Sequence, residues 1–232
     1  MKKKIEPKVF AFIFVRAGSK RLKNKNILKF NNKPLFMNSV EQAKKIKEIS
    51  RIFVSSDSPK IISICKKNNV EFIKRPKKYA TSNSKEILSW KHATEYTTKK
   101  YKDFDYFLSL PATNPLRKQS DIKKIIIKCK SSKEDKIFIT ISKLKNNIID
   151  NLVTKKNDNL SLLKQNIIQK KISKKIYQIN GSVYMVKKNL INKIKKDIFD
   201  LKVSSIETNP SNSIDIDDIN DFKIAKSLLK KR

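Results

Sequence analysis

Glycine is almost missing from this chain, with 2 of 232 residues, where average usage would give about 16. Glycine-rich phosphate loops of the GxxxxGK[ST] or GxGxxG kind are therefore excluded, and any phosphate-binding turn must work with a single glycine. There is one histidine, His92, so no histidine cluster is available for a metal and no pattern supports Ser–His–Asp catalysis. His92 falls in a predicted helix and reads as structural. The two cysteines, Cys65 and Cys129, lack metal-ligand spacing. Cys65 sits among apolar residues of a predicted helix, which points to a buried, reduced thiol. No apolar run approaches the roughly 20 residues of a membrane span. The start, MKKKIEPKVFAFIFV, joins basic residues to a short apolar run, but no small-residue cleavage site follows. The cytoplasm is the expected location. Acidic residues are also scarce, 21 against 55 basic ones, for a net charge of +34. Such a charge first suggests nucleic acid. The lysines, however, spread over the whole chain instead of forming one stripe, and Lys, Asn and Ile are abundant together, as an A+T-rich codon composition produces. A basic nucleic-acid-binding protein stays as an alternative class, but nucleic acid is not the expected partner.

The residues that are present organise around Val9–Asn26. Seven apolar residues, Val9–Val15, are rich in β-branched and aromatic types and predict a strand buried on both faces, as in a parallel sheet. A loop leaving such a strand is where open α/β sheets bind ligands. This loop places Arg16, Lys20, Arg21, Lys23 and Lys25 around Gly18 and Ser19. Backbone N–H groups with several cations suit a polyphosphate, and Gly18 would let the backbone turn with positive φ or approach a phosphate closely. Downstream, a turn at Asn31–Lys33 precedes a helix starting at Pro34. Strands are predicted at 51–55, 70–73, 106–110 and 136–141. Helices alternate with them: one capped by Ser58 with Pro59 at its first position, one following an Asn83/Glu86 capping box with Ile87, Leu88, Trp90, Ala93 and Tyr96 as candidate buried positions, and one capped by Ser120. This β-α-β alternation predicts a mostly parallel sheet in one domain covering 1–232. From about 142 to 176 the pattern becomes polar and weakly alternating, which reads as an inserted arm of hairpins. A strand at 177–186, a helix near 188–195, a strand at 203–207 and a final helix over 218–229 complete the chain.

Two further clusters carry possible chemistry. Asp215 and Asp217 lie at i and i+2 of an extended segment, so their carboxylates converge with Ile214 and Ile216 opposite. That suits one Mg²⁺, which takes one or two carboxylates plus phosphate oxygens and water. Equally, Asp217 or Asp218 could cap the last helix, with Asp221 favouring its dipole. Asn180–Gly181 is either a β-turn or bulge or an amide facing a substrate.

The ordered set of motifs resembles the CMP-sialic acid synthetase family, the acylneuraminate cytidylyltransferases. The signature strand followed by ARxGSKxxxxKN is matched by Val15-Arg16-Ala17-Gly18-Ser19-Lys20 and, after four residues, Lys25-Asn26. KPL at 33–35, VSSD at 54–57, RPKKYAT at 75–81, LPATNPLR at 110–117, NGSVY at 180–184 and SIDIDDINDF at 213–222 follow in order. The resemblance implies an α/β, Rossmann-like nucleotidyltransferase sheet and a homodimer with an exchanged arm. It also implies a reaction in which CTP and a nonulosonic acid give the CMP-sugar and pyrophosphate with Mg²⁺. Arg16, Gly18, Ser19, Lys20, Lys25 and Asn26 would then bind CTP, with Arg75 lining the site and Asn180 at the sugar side. Asp215 and Asp217 would hold the metal, and Arg16, Lys20 and Asp217 would act in catalysis. The family's LQxTSP reads with Pro111 and Asn114 here, near the sugar, and the Asp usual after RPxxLAT is Ser82. Pseudaminic, legionaminic and Kdo-like acids are therefore alternative sugars. Lys25–Asn26 favours the sialic-type branch over CMP-Kdo synthetases.

Overall fold

The computed structural model describes residues 6–19, 21–101, 104–144, 153–156, 159–162 and 176–230. Its centre is the strand β1 (Val9–Val15), and the reason is visible in the side-chain alternation. Val9, Ala11, Ile13 and Val15 enter one core cluster, while Phe10 and Phe12 enter another on the opposite face. A strand buried on both faces belongs inside a covered parallel sheet. β1 is followed by a miniature hairpin, β2 (Lys29–Phe30) and β3 (Lys33–Pro34). Asn31 and Asn32 turn it with φ of 49° and 59°, the pair of positive values that a two-residue hairpin turn needs. Pro34 thus closes the hairpin and sits just ahead of α1 (Leu35–Lys44), instead of opening the helix as its first residue.

The chain then alternates through β4 (Ile49–Ser56), α2 (Pro59–Lys67), β5 (Glu71–Lys74), α3 (Glu86–Tyr101), β6 (Tyr106–Ser109), α4 (Gln119–Ser131) and β7 (Lys136–Lys143). The short pair β8 (Val153–Lys156) and β9 (Asn159–Leu162) follows, and β10 (Tyr177–Lys187), β11 (Lys202–Glu207) and α5 (Ile219–Lys230) end the chain. Seven strands form one sheet in the order β11-β7-β10-β6-β1-β4-β5. All neighbours are parallel except β10, which runs antiparallel to both β6 and β7. The chain leaves β1 toward β4 and β5, then α3 carries it back to β6 on the other side of β1. The strand order therefore reverses between β1 and β6, and the crevice at their carboxyl ends is where such sheets bind ligands.

Local details both match and correct the sequence reading. Ser58 caps α2 as expected, its Oγ accepting from the Ile61 N–H at 3.4 Å. Ser120 does not cap α4, because the helix begins at Gln119 with Lys118 at the cap position. Nor do Asn83 and Glu86 form a box. Asn83 Oδ1 accepts from Ser82 Oγ, and Glu86 opens α3 with Oε1 accepting from Trp90 Nε1 at 3.0 Å. Leu88 is exposed, so α3 buries Ile87, Trp90 and Ala93 without it, while Tyr96 is partly buried. The helix expected near 188–195 is a 3-10 turn over Lys188–Lys193. Of the proposed arm, the end of β7 enters its base, where the Leu144 N–H donates to the Ile176 carbonyl at 3.1 Å, and β8 and β9 pair antiparallel; residues 145–152, 157–158 and 163–175 lie outside the described residues.

Cys65 and Cys129 are 0% and 1% exposed, and burial pushes their thiols up to about 11 and about 12. At pH 8 both should be protonated and shielded. We expect a thiol reagent to label neither cysteine in the native protein and both in denaturant; rapid native labelling would contradict the placement.

Candidate active site

A cleft of about 610 Å³ opens at the carboxyl ends of β1 and β6. One wall is the loop after β1, which contributes Arg16, Ser19, Arg21, Lys25 and Asn26. Two side-chain contacts hold this loop in shape. Asp57, just beyond β4, accepts from the Ala17 N–H at 2.9 Å, and Asn26 Nδ2 donates to the Arg16 carbonyl at 3.1 Å, tying the end of the loop to its start. Among the described residues of the loop, the left-handed one is Asn24, with φ of 57°. Gly18 does not adopt positive φ, and a Cβ there would meet nothing within 4 Å. Its remaining use is the open space it leaves for a ligand. Lys20 lies outside the described residues.

The opposite wall comes from the segment after β5 and the start of α3. Arg75 is 6% exposed and donates through Nη1 to Ser89 Oγ at 3.1 Å. Its Nη2 lies 3.9 Å from Asp57, yet Nε and Nη2 have no hydrogen-bond partner. Burial lowers its pKa and nearby Arg16 adds to this, while Asp57 and Glu86 act in the other direction. The guanidinium lies in the cleft wall with Nε and Nη2 sealed inside the protein, so its charge, more than a free donor, is what it brings to the cleft. Glu86 faces the same cleft. The protein walls around its carboxyl raise its pKa against the pull of Trp90 and Arg75, and Asp215 adds to the rise.

The floor is the loop after β6 with the segment before α5. Ile216 is fully buried in a small third core with Phe30, Leu116 and Phe222, and its N–H donates to the Thr113 carbonyl at 2.9 Å. Burying Ile216 turns Asp215 and Asp217 outward, as the alternation predicts. The capping question resolves onto a third aspartate. Asp218 Oδ1 accepts from the N–H groups of Asn220 and Asp221, and Asp221 Oδ2 accepts in return from those of Asp217 and Asp218. Asp217 is left to meet the basic loop. Its Oδ1 accepts from Lys25 Nζ at 3.0 Å and its Oδ2 from Arg21 Nη2 at 2.5 Å. Crowding by the protein raises the Asp217 pKa, but Lys25 and Arg21 outweigh it and hold the carboxyl below its ordinary range. Asp215 Oδ1 accepts from Asn114 Nδ2 at 3.3 Å. Its pKa is raised by the surrounding protein mass and by Asp217, with Thr113 and Lys25 opposing.

The fold thus brings Arg16, Ser19, Lys25, Asn26, Arg75 and Asp217 to one cleft, with Asp215 beside it. Asn180 does not line this cleft, although the carbonyl of the next residue, Gly181, accepts from Asn114 Nδ2 at 3.5 Å, close to Asp215. It is buried in a wide bulge of β10, where Gly181 takes φ of 63°. The Asn180 Oδ1 accepts from Thr140 Oγ1 at 2.7 Å and from the Ser182 N–H at 3.2 Å, and its Nδ2 donates to Thr208 Oγ1 at 2.8 Å. These bonds tie β10 to β7 and the end of β11, which is the bulge reading. The sequence reading passed over Asp57 as a loop anchor, Arg21 as the partner of Asp217, and Glu86. The VSSD motif held a signal for the first; nothing in spacing distinguished Arg21 from the other cations of its loop.

Two carboxylates fit a divalent ion that draws its remaining ligands from phosphate and water. Asn114 adds a buried Oδ1 without a partner next to Asp215. Among the described residues no group of three or more His, Cys, Asp or Glu side chains gathers for a dedicated cage.

The family model described as Cytidylyltransferase matches residues 10–232. The chain belongs to that family. It is 29% identical to a post-translational flagellin modification protein B of Campylobacter coli, covering 97% of this chain and 96% of the relative. It is 25% identical to an N-acylneuraminate cytidylyltransferase of Escherichia coli O18:K1:H7, over 97% of this chain and 53% of that protein. A CMP-N,N'-diacetyllegionaminic acid synthase of Campylobacter jejuni is 29% identical, over 95% and 94% of the two chains. The fold matches the structure of a CMP:2-keto-3-deoxy-manno-octonic acid synthetase complexed with CTP, with a TM-score of 0.73 at 12% identity, over 97% of this chain and 99% of that one. This cytidylyltransferase is accordingly an α/β nucleotidyltransferase, with its cleft at the switch point of the sheet. No helix among the described residues is long and apolar enough to cross a membrane.

Proposed function

We propose that this cytidylyltransferase transfers CMP from CTP to the anomeric hydroxyl of a sialic-acid-like nonulosonic acid, with Mg²⁺, releasing pyrophosphate. The observation that carries the reading is the cleft itself. A loop of cations faces Asp217 across the switch point with Asp215 beside it, and Arg75 and Glu86 lie on the third side. In the reaction the sugar's anomeric oxygen bonds to the α-phosphorus as the bond from that phosphorus to the bridging oxygen breaks, pyrophosphate leaves, and the hydroxyl proton passes to solvent. Arg16, Lys20, Arg21 and Lys25 neutralise charge that builds on the phosphates, with Ser19 donating, so that positioning and electrostatics supply most of the rate. Gly18 leaves the triphosphate room to approach the backbone, and Asn26 keeps the loop closed. Arg75 adds positive charge to the wall beside the nucleotide. Asp215 and Asp217 would hold Mg²⁺, which would supply positive charge to stabilise the leaving pyrophosphate.

The relatives' names support the nonulosonic class. Pro111 and Asn114 depart from the resembling family's pattern; Pro111 lines the cleft, and Asn114 is buried against Asp215. We further propose a single domain over 1–232 and a homodimer built with the 142–176 arm, working in the cytoplasm. Pyrophosphate release tests the reaction. It should require protein, CTP, Mg²⁺ and one of a panel of sialic, legionaminic or pseudaminic acids together. Release with CTP alone, or none with any sugar of the class, would overturn it.

A further inference from the structure

The two oxygens of the Asp217 carboxylate are both engaged by cations of the nucleotide loop: Oδ1 by Lys25 Nζ at 3.0 Å and Oδ2 by Arg21 Nη2 at 2.5 Å. A divalent ion at Asp217 must compete with two positive charges for these atoms. The triphosphate of CTP offers the same two cations a more highly charged set of oxygens. The side chains differ in freedom. Arg21 is 68% exposed, on a long stem at the cleft mouth, while Lys25 is 12% exposed in the cleft wall. Arg21 can swing onto a phosphate, and Lys25 needs only a small shift.

We propose that Arg21 and Lys25 exchange partners during the cycle. They neutralise Asp217 until the nucleotide arrives, then move to its phosphates, which releases Asp217 to the metal. Arg21 thereby becomes a triphosphate-binding residue. The metal binds with the nucleotide or after it, never tightly before it. The inference rests on the reading of the cleft as a CTP site with a metal at Asp215 and Asp217. Linkage makes the effect reciprocal: what weakens the clamp should favour metal in the free protein and CTP in the metal-free protein.

The test uses equilibrium binding of the full-length protein, without turnover. In EDTA, Asp217→Asn should bind CTP about fivefold to tenfold more tightly than the unaltered protein, since no ion pair must be broken. In an Arg21→Gln background the same change should gain about half as much, because only the Lys25 pair is left to break. An equal gain in both backgrounds would mean simple removal of a negative charge, and would overturn the exchange. In parallel, Mn²⁺ binding to nucleotide-free protein should strengthen about tenfold on Arg21→Gln; unchanged Mn²⁺ affinity would also overturn it. Arg21 is exposed, so this variant tests the idea without disturbing the core. If the unaltered protein bound no CTP in any condition, the functional reading itself would fail, a result distinct from either of these.

Discussion

Replacing Arg117 with alanine is expected to destabilise the folded chain by about 3–5 kcal/mol, combining lost charged hydrogen bonds, stranded acceptors and a cavity. Arg117 is 3% exposed and works entirely within the protein. Its Nε donates to the Ser182 carbonyl at 2.6 Å, its Nη1 to Gln42 Oε1 at 2.7 Å and its Nη2 to the Pro111 carbonyl at 2.8 Å. These bonds join β10, α1 and the loop that forms the cleft floor. Burial depresses its pKa strongly, with Asp215 and Asp121 pulling the other way. Lysine should not rescue the loss, because one ammonium cannot reproduce a planar fork of donors. Denaturant unfolding of the two variants measures this directly. A loss below about 1 kcal/mol would show that the floor is held by other contacts.

With Mg²⁺ limiting, Asp217→Asn is expected to lower kcat/KM by about a thousandfold, equivalent to about 4 kcal/mol of transition-state stabilisation. An amide cannot hold the ion as a carboxylate does, and it leaves Arg21 and Lys25 without their partner. The loss should shrink but persist at high Mg²⁺. Ser19→Ala, which removes one neutral donor, should cost only about tenfold. Full activity of Asp217→Asn at limiting Mg²⁺ would remove Asp217 from the metal site.

What the sequence made legible was whatever depended on local pattern. Seven consecutive apolar residues placed β1 and its two-faced burial, and the β-α alternation predicted the parallel sheet. The alternation of Ile214 and Ile216 with two aspartates foretold which way the carboxylates turn. What it hid depended on contacts between distant segments. Asp57 reads as the end of a strand motif until the fold sets it against Ala17 and Arg75, 40 and 18 positions away. Arg21 is one cation among five in its loop until α5's leading segment brings Asp217 to it. Asn180, standing before a glycine, suits both a ligand contact and a bulge. Only the pairing with Thr140 and Thr208 shows how its amide is used. Gly18 was read for backbone freedom, yet Asn24 takes the left-handed position, which asparagine tolerates better than most residues.

The central claim is that the α-phosphorus of CTP is transferred to a sugar. Incubation of the protein and Mg²⁺ with a nonulosonic acid and CTP labelled at either the α- or the γ-phosphate tests it most directly. The account predicts that α-label moves into a product containing the sugar while γ-label leaves as pyrophosphate. γ-label appearing on the sugar, or released as orthophosphate with no α-labelled product, would contradict it.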